Sequence, residues 1–246
     1  MTTGVLYIVP TPVGNLGDMT PRAVSVLKEA SLILCEDTRK SAPLLKHFGI
    51  ITPVSSHHKF NEHQSVDGVI KLLQRGEDVA LVSDAGTPGI SDPGFMLSRE
   101  CRRNDITVQT LPGATAFVPA LVNSGLPCDR FFFEGFLPTK KGRKTRLVEI
   151  SESHVSTIIY ESPLRLVKTL EQLAEYCGGE REASVSREIS KVYESTMRGT
   201  LNELIHYYMS NAPKGEIVII VAPAVKTNIA GSHRNKYKEE PADNDK

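Results

Sequence analysis

The residues best placed to do chemistry stand where apolar runs break into glycine- and proline-rich loops. Leu81-Val82-Ser83-Asp84-Ala85-Gly86-Thr87-Pro88-Gly89-Ile90-Ser91-Asp92-Pro93-Gly94 follows an apolar run at 79–82 that reads as a strand buried on both faces. Glycines at 86, 89 and 94 let a ligand approach the backbone, and prolines at 88 and 93 hold the loop in one shape. In an open α/β sheet, ligands bind at the carboxyl ends of the strands. A tight strand-to-helix turn with no ligand is the plainer alternative. Three further loops occupy equivalent positions: Pro10-Thr11-Pro12-Val13-Gly14-Asn15-Leu16-Gly17-Asp18, Glu36-Asp37-Thr38-Arg39 and Leu111-Pro112-Gly113-Ala114-Thr115-Ala116. All four can gather on one edge of a sheet.

Several chemistries are disfavoured. No G-x-G-x-x-G follows a strand, no G-x-x-x-x-G-K-[ST] occurs, and there is no G-x-S-x-G elbow. His57, His58 and His63 lack the carboxylate spacing of a metal site and read as a solvated polar loop. The four cysteines (Cys35, Cys101, Cys128, Cys177) are scattered and read as reduced thiols. Lys plus Arg and Asp plus Glu number 29 each, so any nucleic-acid partner must be held by a local patch. No apolar run approaches a membrane span and no leader pattern precedes the first strand, so the expectation is a cytoplasmic protein with no membrane partner.

The elements that must position these loops follow from periodicity. Strands are expected at 5–9, 32–35, 52–56, 79–82 and 106–110, alternating with helices, which argues for a mostly parallel sheet. Thr20 with Pro21 marks one helix start, and Asp92 with Pro93 reads as another by the same logic. A short helix at 41–48 stops at Gly49, and Asn61 with Gln64 suggests a capping box for the helix running to Arg75. A helix after Ala116 stops at Gly125. Beyond Leu126 come strands at 131–133, 157–160, 183–187, 193–198 and 216–222 and helices near 143–152, 163–176 and 200–210. The strands at 183–187 and 193–198 have no helix between them and should pair antiparallel. The expected fold class is α/β with two α/β domains, 1–125 with a mostly parallel sheet and 126–225 with a mixed one. Residues 226–246 have no apolar period and read as a disordered tail.

Together the loops carry a resemblance. Tyr7-Ile8-Val9-Pro10-Thr11-Pro12-Val13-Gly14-Asn15-Leu16, Glu36-Asp37-Thr38-Arg39, Leu81 through Pro88, Ser91-Asp92-Pro93-Gly94 and Leu111-Pro112-Gly113 take part. So do Gly125-Leu126-Pro127, Glu134-Gly135-Phe136-Leu137-Pro138, Tyr160-Glu161-Ser162-Pro163 and Arg187-Glu188. Over about residues 5–222 the chain resembles the tetrapyrrole methylase superfamily of S-adenosylmethionine-dependent methyltransferases, a fold distinct from the Rossmann-type enzymes. Gly86-Thr87-Pro88, with its carboxylate earlier at Asp84, stands where many tetrapyrrole enzymes have Gly-Asp-Pro, and resembles the ribosomal RNA branch.

The resemblance implies S-adenosyl-L-methionine in a cleft between the two domains. By position it would be contacted by Val13, by Asp84, Ala85, Gly86, Thr87 and Ile90, by Thr115 and Ala116, and from the second domain by Tyr160 and Glu161. The implied reaction is 2′-O-methylation of a cytidine ribose in small-subunit rRNA, by a homodimer acting on a nearly assembled small ribosomal subunit. A ribose hydroxyl is a poor nucleophile, so a group must take its proton or stabilise the alkoxide. The catalytic candidates are Asp37 and Arg39, Glu161, and Arg187 with Glu188, with His58 as a further one; a bracing ion pair is the alternative for each. The RNA-binding candidates are Lys140, Lys141, Arg143, Lys144 and Arg146, extended by Arg165 and Lys191. Two other functions stay open here: C-methylation of a tetrapyrrole, and a non-catalytic assembly factor that keeps the fold.

Overall fold

The computed structural model describes residues 2–58 and 62–224. The proposed Asn61 cap and the tail at 226–246 lie outside the described residues.

Five strands, β1 (Leu6–Ile8), β2 (Leu32–Cys35), β3 (Val54–Ser56), β4 (Val79–Val82) and β5 (Val108–Thr110), form one sheet in the order β3-β2-β4-β1-β5. Every pairing in it is parallel. Side chains alternate along each strand, so each strand feeds two cores. Leu6, Ile8, Leu34, Val79 and Leu81 pack against Val69, Leu73, Leu97 and Cys101 from α3 (Glu62–Gln74) and α4 (Phe95–Arg103). On the other face Val9, Ile33, Cys35, Ala80 and Val82 pack against Ala23, Leu27 and Leu45 from α1 (Pro21–Glu29) and α2 (Thr38–His47).

The second sheet holds β6 (Phe131–Phe136), β7 (Ser156–Glu161), β8 (Glu182–Arg187), β9 (Ser195–Thr200) and β10 (Ile217–Val221), in the order β6-β7-β10-β8-β9. β6 and β7 are parallel, and the other pairings, including β8 with β9, are antiparallel. One face is covered by α6 (Arg143–Glu152), α7 (Leu166–Cys177) and α8 (Leu201–Ser210). The other face carries Ile158, Val218 and Ile220 and meets Ala120 and Leu121 of α5 (Phe117–Ser124), together with Val13 from the first sheet's loops. Thus α5, although it directly follows the first sheet in the chain, packs on the second. The strand tips of one sheet abut the face of the other.

Local signals explain most boundaries, and some fail for stated reasons. Thr20 accepts from the Ala23 amide with Pro21 at the first helical position, as the sequence indicates. By contrast α4 starts at Phe95 after Gly94, whose φ is 138°, and Asp92 does not cap it. The Asp92 side chain turns inward toward Ser83 instead. The helix expected from 41 begins at Thr38, because the Asp37 carboxylate caps it by accepting from the Arg39 amide at 2.9 Å. His57 is fully buried rather than solvated: its amide donates to the Cys35 carbonyl and its Nδ1 lies 2.8 Å from Ser65 Oγ.

Candidate functional site

The first sheet's loops are tied to one another by backbone. Thr11 and Gly86 exchange amide-to-carbonyl hydrogen bonds of 2.9 Å in both directions. Thr11 Oγ1 donates to the Ser83 carbonyl, Ser83 Oγ to the carbonyls of Ala85 and Gly86, and Thr87 Oγ1 to the carbonyl of Ala114. Gly86 has φ 79°, a left-handed conformation that glycine adopts without strain. Close approach of the second sheet also requires glycine. A Cβ on Gly135 of β6 would stand 2.9 Å from Ser91 Oγ, and one on Gly14 would stand 2.9 Å from the Ile189 carbonyl.

Between the strand tips and the second sheet lies a cavity of about 340 Å³, within the range of roughly 300–1,000 Å³ usual for small-molecule sites. Val13, Ala85, Gly86, Thr87, Ile90, Thr115 and Ala116 line it from the first sheet's loops, and Tyr160 and Glu161 from β7. These nine are sequence candidates for cofactor contact. The tenth, Asp84, lies outside this cavity and lines a second one, where its Oδ2 pairs with Lys40 Nζ at 2.7 Å. Phe136, Ile189 and Val218 add apolar walls that the sequence candidates did not include. Among the described residues the charged side chains of the lining are all acidic: Asp92, Glu161 and Glu216.

Each carboxylate has a different environment. Burial raises the Asp92 carboxyl to about 6, helped by the negative charges of Glu36 and Asp84 and opposed by its bond with Ser83. Burial also raises Glu36, with Asp84 adding to it while Lys40 and His58 oppose. Glu161, whose side chain is 0% exposed, is bound on every side. Its Oε1 accepts from the Ser162 amide at 2.7 Å and pairs with Arg165 at 2.6 Å, while Oε2 accepts from Thr169 Oγ1 at 2.7 Å. Tyr160 is pushed up to about 12 by burial, its hydroxyl set against the Phe117 backbone at the start of α5.

The remaining catalytic candidates brace backbone. Both Asp37 oxygens accept from the Arg39 guanidinium, at 2.8 and 3.0 Å, and these bonds lower its carboxyl to about 2. Arg187 donates to the Lys214 carbonyl. Glu188 (φ 52°) accepts from Lys191 and from the Glu216 amide, and the Lys191 bond holds its carboxyl below the usual range. A Cβ on Gly215 would strike that Glu188 carboxylate, so the pair shapes the turn that brings Gly215 and Glu216 to the cavity.

The basic run divides. Lys140, Lys141 and Lys144 are exposed. Arg143 instead donates inward, to Gln172 Oε1, the Pro138 carbonyl and Thr169 Oγ1. Since Thr169 in turn holds Glu161, Arg143 fixes the basic loop to the cavity wall. Arg146 pairs with Glu149 and Glu134, Arg165 with Glu161, and Lys191 with Glu188 and Glu216. Asp92 is the residue the sequence candidates missed: its place in Ser-Asp-Pro-Gly imitates a helix cap.

Comparison with known proteins agrees with this architecture. The family model of tetrapyrrole (corrin/porphyrin) methylases matches residues 5–205. The chain is 49% identical over 222 residues to ribosomal RNA small subunit methyltransferase I of Synechocystis, covering 90% of this chain and 80% of that one. It is 48% identical over 225 residues to the protein of that name from Pseudomonas aeruginosa, with the same coverage. Among solved structures, a cobalt precorrin-4 methyltransferase superposes with TM-score 0.66 at 16% identity, covering 89% of this chain and 94% of that one. A diphthine synthase superposes with TM-score 0.69 at 14% identity, covering 89% and 90%.

Proposed function

The chain belongs to the tetrapyrrole (corrin/porphyrin) methylase family, and from that premise we propose that it is an S-adenosylmethionine-dependent methyltransferase whose acceptor is the ribose 2′-hydroxyl of a cytidine in small-subunit rRNA. The relatives' names support the RNA class. The observation that carries the cofactor assignment is the cavity itself, where loops of one sheet meet β7 and β10 of the other around three carboxylates and no lysine or arginine among the described residues. A net-positive sulfonium compound suits that lining.

S-adenosylmethionine, when bound, supplies an electrophilic methyl group on a positively charged sulfur. Val13, Ile90, Phe136, Ile189 and Val218 exclude water around it. The Gly86 backbone approaches without a side chain, and the buried Glu161, held by Arg165, Thr169 and the Ser162 amide, keeps the β7 side of the wall fixed. Asp92 takes the proton of the acceptor hydroxyl, since a carboxylate near 6 is ionised at neutral pH yet basic enough to share it. Asp37 at about 2 is a poorer base and braces its loop. Lys140, Lys141 and Lys144 meet RNA phosphates beside the cavity. A homodimer would present two such loops to one small subunit, and the cytoplasm is where that particle is assembled.

The test is incubation with small ribosomal subunits lacking the modification and methyl-deuterated cofactor, followed by nucleoside mass spectrometry of the RNA. The expected product is deuterated 2′-O-methylcytidine. Cofactor binding without label in RNA would contradict the acceptor assignment.

A further inference from the structure

The first cavity accounts for a cofactor, and a second cavity, of about 370 Å³, lies across the same two loops. Pro12 and Gly14 line the second while Val13 between them lines the first. Ser83 and Asp84 line the second while Ala85, Gly86 and Thr87 line the first. The Thr11–Gly86 bridge joins the two loops, so the cavities share one wall.

The second cavity has apolar surfaces at Leu16, Pro43 and Leu44 and polar residues at Lys40, Ser41, His47, Ser83 and Asp84. Two of these polar groups are under-used. Asp84 gives one oxygen to Lys40, but its buried Oδ1 has no hydrogen-bond partner among the described residues. Ser41 is 4% exposed and, apart from the Cys35 thiol, a weak hydrogen-bonding group, its hydroxyl has none either. Buried polar atoms are nearly always paired, so an unmatched carboxylate oxygen and a hydroxyl with only a weak thiol partner on one cavity wall call for a partner from outside the chain.

Resting on the methyltransferase reading above, we propose that this second cavity receives the base of the target nucleotide and selects cytosine, with Asp84 Oδ1 accepting from its exocyclic amino group and Ser41 donating to its ring edge. A carboxylate accepting from the cytosine N4 amino group is a direct base contact. Uracil carries a carbonyl at that position, so its oxygen would face the carboxylate with no proton between them. Leu16 and Pro43 offer apolar surface for the faces of an unstacked base, the form in which RNA sequence is read. Asp84 is near enough to Asp92 for its charge to act on that carboxyl, which puts a base held here beside the proposed proton acceptor.

Two small-subunit substrates test this, one with the native cytidine at the methylated position and one with uridine there. Subunit binding is measured without cofactor, methyl transfer with it, and cofactor affinity separately by calorimetry. Wild-type protein is expected to favour the cytidine substrate in both assays by about tenfold or more. Asp84→Asn, whose oxygen stays with Lys40 so that its NH2 takes the place of Oδ1, should lower cytidine binding by about tenfold and shrink or reverse the preference. Its cofactor affinity should stay within about twofold, since Asp84 lies outside the first cavity. Ser41→Ala should narrow the ratio in the same direction and serves if Asp84→Asn fails to fold. Equal wild-type transfer to both substrates would overturn the cytosine pocket while leaving the methyltransferase reading intact. No transfer to either would overturn that reading and this one with it. Loss of cofactor affinity in Asp84→Asn, or an unchanged ratio in both variants, would also overturn the assignment.

Discussion

Thr11 and Gly86 exchange backbone hydrogen bonds of 2.9 Å in both directions, and that one bridge joins two loops whose residues divide between two cavities. It is a two-residue antiparallel contact between loops that both leave parallel strands, β1 and β4. The wall is therefore made of backbone. Its shape depends on residues that can hold unusual dihedral angles.

Gly86→Ala tests that dependence. At φ 79° an alanine is strained by about 1 kcal/mol, and its methyl would sit 3.6 Å from Val13 Cγ1. Denaturant unfolding should show that loss. Calorimetry should show weaker S-adenosylmethionine binding, because the bridge to Thr11 and the Val13 wall shift together.

Asp92 predicts a pH dependence. As proton acceptor it must be ionised, so kcat should rise with pH through about 6 and then level off. Asp92→Asn should lower kcat by about 100-fold or more, a larger effect than its effect on cofactor affinity. Stability moves the other way. A folded-state carboxyl raised above its unfolded value favours the protonated form, so stability falls as pH rises from the ordinary carboxylate range to about 6. The asparagine variant cannot ionise and should melt higher than wild type at pH 7.

The basic loop should separate into two kinds of cation. Changing Lys140, Lys141 and Lys144 to alanine should weaken RNA binding and flatten its salt dependence, leaving stability and cofactor affinity near wild type. Arg143→Ala removes bonds to Gln172, Pro138 and Thr169, so it should cost about 2 kcal/mol of stability and change the salt slope less. Filter binding at several salt concentrations, with a melting curve for each variant, separates the two.

Glu161→Gln should act through the second sheet. Removing the charge leaves the Arg165 guanidinium with a neutral amide in place of its 2.6 Å carboxylate partner and weakens the Thr169 link to Arg143. The expected loss is about 2 kcal/mol of stability, with reduced cofactor affinity, both read by unfolding and calorimetry.

Much of this was legible in the sequence because strand periodicity and glycine placement are local signals. Leu6 and Ile8 alternate with Tyr7 and Val9 into two cores, which the apolar run at 5–9 already implies. The four strand-end loops could be placed on one edge because parallel strands put all their carboxyl ends together. What stayed hidden depends on where a side chain turns. Asp92 before Pro93 has the residue types of a helix cap, but Gly94 takes the left-handed step and the carboxylate faces Ser83. Asp84 stands one residue from Ala85, yet the loop after β4 turns between them and leaves it in the other cavity. Arg143 sits in a basic run and points inward, because Thr169 and Gln172 on α7 offer acceptors that no local pattern announces. The burial of His57 likewise depends on Ser65, which belongs to the following helix.

The most direct measurement of the central claim is a crystal structure of the protein with S-adenosylhomocysteine. The account predicts the ligand in the cavity walled by Val13, Gly86, Ile90, Tyr160 and Val218, with the second cavity, beside Asp84 and Ser41, left open. Ligand found instead against Asp84 and Lys40, or on one sheet without touching the other, would contradict it.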